Sequence, residues 1–230
     1  MHRRQFCLTA LSLAAAGLAA GRARAEAPSE QQILVDRARS TVETFTTQSD
    51  MEQMRHLLRR ARGILIFPEI IKAAFFIGGE GGSGVLVGRD PQTGSWTAPA
   101  FYTMGSGSIG LQFGGEVSQV VLLIMNERAL NAIISNQVKL GADASVAVGP
   151  MGRGMEAATT TALNADIYSF AATKGLFGGV SLGGSVINAR GDWIRAYYGR
   201  SLSAGDIVLR RQVEAPAALP LDQALQQAEL

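Results

Sequence analysis

The run ILIFPEIIKAAFFIGGEGGSGVLVGRDPQTGSWTAPAFYTMG, Ile64 to Gly105, decides how the chain is read. It breaks into short apolar pieces: ILIF (64–67), AAFFIGG (73–79), GVLVG (84–88) and WTAPAFYTMG (96–105). Each is rich in β-branched or aromatic residues and punctuated by glycine, which predicts strands rather than helices. Asp90-Pro91-Gln92-Thr93-Gly94 supplies turn chemistry between the last two, so they form a hairpin. GLQFGGEVSQVVLLIM (110–125) continues the pattern, and its apolar run from Val120 to Met125 is too short to cross a bilayer as a helix. Strand-like runs resume in LGADASVAVG (140–149), ADIYSFAAT (165–173), GLFGGVSLGGSVI (175–187) and WIRAYYG (193–199).

Helical periodicity flanks and interrupts these runs. From Gln31 to Phe45, Leu34, Ala38, Thr41 or Val42, and Phe45 recur at spacings of three and four, which predicts an amphipathic helix. A second helix is expected from the capping-box pattern Ser49-x-x-Glu52 to Gly63, with Met51, Met54, Leu57 or Leu58, and Ala61 as its apolar stripe. A third runs from about Glu127 to Ser135, capped by Asn126, with Leu130, Ile133 and Ile134 inward. A short fourth begins at Ser203, with Asp206 closing a capping box and Arg210 and Arg211 near its negative end. Residues 212–230 read as a flexible, Ala-, Pro- and Gln-rich tail.

The first 25 residues read as a targeting segment: Arg3 and Arg4, an apolar stretch from Leu8 to Ala20, then Ala23-Arg24-Ala25. Arg3-Arg4 followed by Phe6 and Leu8 resembles a twin-arginine signal, with ordinary secretion as the rival route. Cleavage after Ala25 predicts a periplasmic or secreted protein, peripheral on a membrane if it binds one. Removing Arg3, Arg4, Arg22 and Arg24 from 21 basic residues leaves 17 against 19 acids. The basic isoelectric point therefore belongs to the leader, and global attraction to nucleic acid has no basis in the rest.

Catalytic equipment is sparse. Cys7 and His2 lie in the leader, which leaves His56 as the one histidine and no thiol. A Ser-His-Asp site would have to be built around His56, which sits between Arg55 and Leu57 without a nucleophile-elbow sequence. Zinc and copper sites lack ligands, and no EF-hand spacing occurs. No catalytic residue, metal or cofactor is expected; the enzyme alternative is a wall-active hydrolase using paired carboxylates. Gly79 to Gly84 and Gly105 to Gly110 both match G-x-G-x-x-G, yet both run on into β-like sequence rather than a helix start. They read as structural glycines in bent or closely approaching strands.

One constellation remains: Arg55, Arg59, Arg60 and Arg62, with Lys72 farther on, beside Leu57 and Leu58. A basic helix with an apolar face docks on anionic membranes, each nearby arginine contributing on the order of 1 kcal/mol. In the competing reading the leucines face the core, and the arginines are solvated or paired with acids such as Glu52.

From about Met51 to Leu209 the chain resembles the SYLF domain family, the yeast actin-patch-protein type. The resemblance rests on RARGILIF (60–67), GGSGVLVGRD (81–90), GSWTAPAF (94–101), GLQFGGEVSQVVLLIMN (110–126), GPMGRGMEA (149–157), YSFAATKGLFGGVSLGGSVI (168–187) and YYG (197–199). It implies binding of anionic phospholipid through the region at the domain's start, here Arg55 to Arg62, with Arg153 and Lys174 at other charged family positions. Some eukaryotic members also bind actin, which is not an expected partner of an exported bacterial chain; phosphatidylglycerol or cardiolipin is the lipid expected instead. The alternative partner is another envelope protein. The combined expectation is an α+β domain: leader 1–25, helical extension 26–50, lipid-binding domain 51–211 and tail 212–230. Its glycine-rich, mainly antiparallel sheet coils toward a barrel or sandwich, with one helix inserted after Met125.

Overall fold

The computed structural model describes residues 27–48, 51–75, 77–109, 114–135, 137–149, 165–173, 176–178 and 182–230. Residues 1–25, which the sequence reading takes as a targeting segment, and Ser49, Arg153 and Lys174 lie outside them. Helix α1 (Glu30–Thr47) starts where the Ser29 hydroxyl accepts the amide of Gln32, and it buries Leu34, Val35, Ala38, Val42 and Phe45. Helix α2 (Glu52–Leu58) is shorter than its apolar spacing suggests, and its N-cap is Met51, with no side-chain bond. Beyond Leu58 the amides of Arg60 and Ala61 reach back only three residues, and the Arg62 amide donates instead to Ile124 at 2.7 Å. The sheet captures the chain there and ends the helix.

That sheet holds β1 (Gly63–Phe75), β2 (Ile77–Gly88), β3 (Ala100–Ile109), β4 (Gly114–Ile124), β5 (Gln137–Lys139), β6 (Val146–Val148), β7 (Ile167–Thr173), β8 (Leu176–Gly178) and β9 (Val186–Ala189). Their order is β5-β9-β3-β2-β1-β4-β7-β6, with β8 also paired to β7. Every pairing is antiparallel except β6 with β7. The two outermost strands, β5 and β6, are joined directly by residues 140–145, within which Leu140 and Ala144 form a bridge. The sheet thus curls its margins toward each other into a half-barrel, as the glycine content anticipates.

Pro68 and the glycines shape that curl. Across Ile66 to Ile71, β1 carries one residue more than β2, and it also carries one more than β4 between Phe67 and Ile70. Pro68, which has no amide to give the ladder, sits inside this bulge. The bulge presses β1 against β2: a Cβ on Gly82 would stand 2.1 Å from the Glu69 carbonyl oxygen, and one on Gly84 2.6 Å from the Phe67 ring. The two G-x-G-x-x-G stretches face each other in the ladder, Gly79 opposite Gly107 and Gly81 opposite Gly105. Both stretches lie in strands, as their β-like context predicts, and of their described glycines Gly82 and Gly84 are the ones a close approach requires.

The hairpin turn, α3 and α5 lie where local signals place them. Asp90 accepts the amides of Gln92 and Thr93 at 2.7 and 3.1 Å, closing the β2–β3 turn. Helix α3 (Glu127–Ile134) is capped by Asn126, which accepts the Ala129 amide at 2.9 Å. Helix α5 (Ala204–Val208) carries the full Ser203–Asp206 capping box.

Two expectations are corrected. WIRAYYG is not a strand but most of helix α4 (Gly191–Tyr198), stopped by Gly199 in the left-handed region at φ 68°. Its Trp193 and Tyr197, four residues apart, both pack edge-on against Phe101 at 6.0 and 5.2 Å. Residues 212–230 are not a loose tail either. After a 3-10 turn (Pro216–Ala218) they form α6 (Leu219–Ala228), which buries Leu221, Ala224, Leu225 and Ala228 and packs against α1.

Inside the half-barrel Tyr102 is fully buried, and its hydroxyl has no partner among the described residues. Burial alone pushes its ionisation well above the usual phenol range. An unsatisfied buried hydroxyl costs about 1–3 kcal/mol, so Tyr102→Phe is expected to stabilise the fold by about 1 kcal/mol. A higher urea midpoint at unchanged slope checks this. Among the described residues no helix is long and apolar enough to cross a membrane.

Candidate functional site

The residues singled out in the sequence divide three ways. Leu58 is fully buried beside Met51 and Met54, and Leu57 is half-buried against the same core. Leu58 therefore cannot touch a lipid surface, which corrects the apolar part of the expected docking face. Arg55 is committed to the fold, its Nη1 donating to the carbonyls of Thr46 at 2.5 Å and Gln48 at 3.3 Å. Lys72 lies in β1 with Glu80 and Glu116 as its cross-strand neighbours. At about 3.3 Å per residue it is roughly 30 Å along the strand from Gly63, so it does not join the arginines.

Arg59, Arg60 and Arg62 remain together. Arg59 is the C-cap of α2, Arg60 follows in the turn, and both are exposed; Arg62, half-buried, leads into β1. They are therefore not a stripe along one helix but a basic corner at the start of the sheet. Arg59 Nη2 donates to the Leu230 carbonyl oxygen at 3.2 Å. His56 is exposed on α2, as a surface histidine should be.

The fold adds two arginines that sequence reasoning did not place at this site. Gly63 pairs with Gly88, so the next pair outward sets Arg62 beside Arg89, and the Arg89 amide donates to the Arg62 carbonyl at 2.8 Å. The Arg89 guanidinium donates to the Arg59 carbonyl and to Glu229, both at 2.9 Å. Arg211, after α5, donates through Nη1 to Ser95 Oγ at 3.0 Å and through Nη2 to the Ser95 carbonyl at 3.1 Å, with Asp90 3.5 Å away. Asp90 is held below the usual carboxylate range, first by the amides of Gln92 and Thr93 and then by Arg211. Arg62, Arg89 and Arg211 together line a cavity of about 300 Å³ at this end of the sheet. The available signal was the tight β1–β2 connection, where Phe75 pairs with Ile77: counted outward without interruption, position 62 would meet position 90, and the bulge moves its partner to 89. The bulge at Pro68 hides that register.

On the neighbouring side of the same end, Asp166 joins the start of β7 to α3 and β6. Its buried carboxylate accepts from Asn126 at 2.8 Å, from Arg128 at 2.6 and 2.7 Å, and from the Ser145 amide and hydroxyl at 2.9 and 2.6 Å. Burial raises its pKa, but the bonds from Ser145, Asn126 and Arg128 outweigh burial and hold it far below the usual carboxylate range. With every nearby donor engaged, this cluster holds the fold together rather than reacting. Among the described residues no group of His, Cys, Asp and Glu could hold a metal ion. What the corner offers chemically is fixed guanidinium charge, suited to phosphate or carboxylate groups.

The family model described as "Ysc84: Las17-binding protein actin regulator" matches residues 105–228, from the middle of β3 through α6. The chain belongs to the Ysc84 family. Human SH3 domain-containing YSC84-like protein 1 is 35% identical over 154 residues, 66% of this chain and 44% of the human protein. Protein YSC84 of Saccharomyces cerevisiae is 34% identical over 169 residues, covering 72% of this chain and 36% of the yeast one. SH3 domain-containing protein PJ696.02 of Schizosaccharomyces pombe is 35% identical over 167 residues, 71% and 37% of the two chains. This Ysc84-family chain thus spans less than half the length of these relatives. Las17 binding and actin regulation are named in the description of the family as a whole.

Proposed function

We propose that this Ysc84-family domain works without a reaction of its own, docking reversibly on anionic phospholipid surfaces through Arg59, Arg60 and Arg62. The observation that supports the reading is the basic corner itself: exposed Arg59 and Arg60 come just before Arg62 in the chain, and Arg62 lines an arginine-walled cavity. At about 1 kcal/mol per arginine near an anionic surface, the corner supplies roughly 3 kcal/mol, which gives weak and reversible attachment. With the leader read as an export signal, the surface is that of a bacterial envelope, where phosphatidylglycerol and cardiolipin carry the charge.

The test is the pair Arg59→Glu and Arg60→Glu made together. Four units of charge change sense near the membrane, so co-sedimentation with phosphatidylglycerol vesicles is expected to weaken by on the order of a hundredfold or more. Arg39→Glu, on α1, is expected to bind as the parent does. Undiminished binding by the double variant rejects this corner. A protein-docking module is the second reading, favoured by the family's description as Las17-binding. Capture of a purified envelope protein that persists without lipid and survives the double charge reversal supports it.

A further inference from the structure

We infer that the cavity walled by Arg62, Arg89 and Arg211 binds a single phosphate group, and that the corner outside it serves the surrounding anionic field. This rests on the docking reading for its setting and shares Arg62 with it, but it adds Arg89 and Arg211 and leaves Arg59 and Arg60 outside. The three arginines come from the start of β1, the end of β2 and the segment after α5, so only the folded chain gathers them.

Charge around the cavity leaves one cation for an anion. Asp90 and Glu127 also line it and Glu229 is bound to Arg89, so three acids balance the three arginines, and Arg62 is the cation of the wall without an acidic partner among the described residues. The Asp90 carboxylate is already engaged by the amides of Gln92 and Thr93. Glu127, exposed in the first turn of α3, is the acid of this wall with no such bond. Arg62 forms no ion pair with a described residue, so its guanidinium is free to meet a ligand.

Geometry favours a prepared site. Arg89 is fixed from two sides by the Arg59 carbonyl and Glu229, while its Nε is buried with no partner among the described residues. Arg211 is the non-glycine residue with positive φ among the described residues, at 50°, and two bonds to Ser95 hold its guanidinium in place. A side chain held in a sparsely populated backbone conformation by over-determined contacts is characteristic of binding sites. Gly88 forms part of the wall, where a Cβ would meet Val208 at 2.5 Å. Val208 and Leu130 make an apolar floor, and half-exposed Leu209 stands at the edge. Volume, floor and cations together fit a phosphate ester with a short carbon stem. A glycerophospholipid headgroup and a small soluble phosphate share that chemistry.

Isothermal titration of the full chain with glycerol 3-phosphate, run beside co-sedimentation with vesicles of phosphatidylglycerol in phosphatidylcholine, separates the two sources. The variants are Arg62→Gln and Arg211→Gly, the latter chosen because glycine accepts the left-handed backbone. Losing one charge-assisted contact is expected to weaken binding about tenfold, with the thermal midpoint unchanged for Arg62→Gln and slightly lowered for Arg211→Gly, which also gives up two bonds to Ser95. Saturable binding of glycerol 3-phosphate with that loss assigns a soluble phosphate. No binding of glycerol 3-phosphate, with a tenfold loss on vesicles, assigns the headgroup. If both variants match the parent with both probes, the cavity is not a phosphate site. The docking reading then stands or falls separately on Arg59→Glu with Arg60→Glu. Should Arg62→Gln lower the thermal midpoint, Arg62→Lys, which keeps the charge, is expected to restore binding; failure of that rescue with midpoint recovered also overturns the inference.

Discussion

Asp166→Ala is expected to destabilise the protein by about 3–5 kcal/mol, because it strands several donors at once in a region closed to water. The carboxylate is only 6% exposed and accepts from the Ser145 amide and hydroxyl, Asn126 and Arg128. Arg128 is 73% exposed and recovers water when its partner leaves, so the loss falls on Ser145 and Asn126. Since those residues begin β6 and cap α3, the sheet margin and the inserted helix loosen together. Asp166→Asn keeps the shape and removes the charge, and about half the loss is expected. Urea unfolding followed by tryptophan fluorescence measures both variants.

The same group sets an acid limit. Its folded pKa is lowered from 3.8, so its contribution is complete above that value and is lost as pH falls below it. Asp192, held at about 2 by Arg190, and Asp206, held at about 2 by Ser203 and Arg210, act in the same direction. The thermal midpoint of the parent is therefore expected to fall between pH 5 and pH 2, and Asp166→Asn to fall less steeply over that range while keeping a residual slope from the other two.

Gly82→Val is the second large effect. Its Cβ would lie 2.1 Å from the Glu69 carbonyl oxygen and 2.8 Å from Ile70 Cδ1. The obstruction is backbone, not a mobile side-chain tip, so β1 and β2 have to separate at the bulge. Ordinary overpacking costs about 1–3 kcal/mol, and here at least about 3 kcal/mol is expected, with loss of soluble protein as the extreme outcome. Gly107 is the control: a Cβ there meets nothing within 4 Å. Gly107→Ala is expected to fold normally, its urea midpoint within experimental scatter of the parent. Equal effects at the two sites contradict the packing account of these glycines.

That contrast shows what single-chain reading reaches. The β character of Ile64 to Met125 was plain because its pattern is local, as were the caps at Asn126 and Ser203, whose side chains bond amides three residues away. Which glycine is indispensable depends on a strand crossing, and a strand crossing depends on register. Helix α4 was misread because Trp193, Tyr197 and Tyr198 carry a β-like composition. Their spacing of four turns one face to Phe101. Helix α6 was hidden by its alanines and prolines, although Leu221, Leu225 and Ala228 already follow helical spacing.

The candidate site was half legible. Arg59, Arg60 and Arg62 are neighbours in sequence and remain neighbours in space. Arg55 looked equivalent on a helical wheel, yet its guanidinium secures the α1–α2 connection. Leu58 had to choose between membrane and core, and the core took it. Arg89 and Arg211 sit 27 and 149 positions beyond Arg62 in the chain, so only the closed sheet reveals them.

The docking account is tested most directly by co-sedimentation of the parent chain, lacking residues 1–25, with phosphatidylcholine vesicles of rising phosphatidylglycerol content, at low salt and at 0.5 M salt. Because exposed charges are screened over ~10 Å at 0.1 M and less as salt rises, the bound fraction is expected to climb with anionic lipid at low salt and to collapse at high salt. Binding that ignores both the anionic fraction and the salt, or no binding to any of these vesicles, contradicts it.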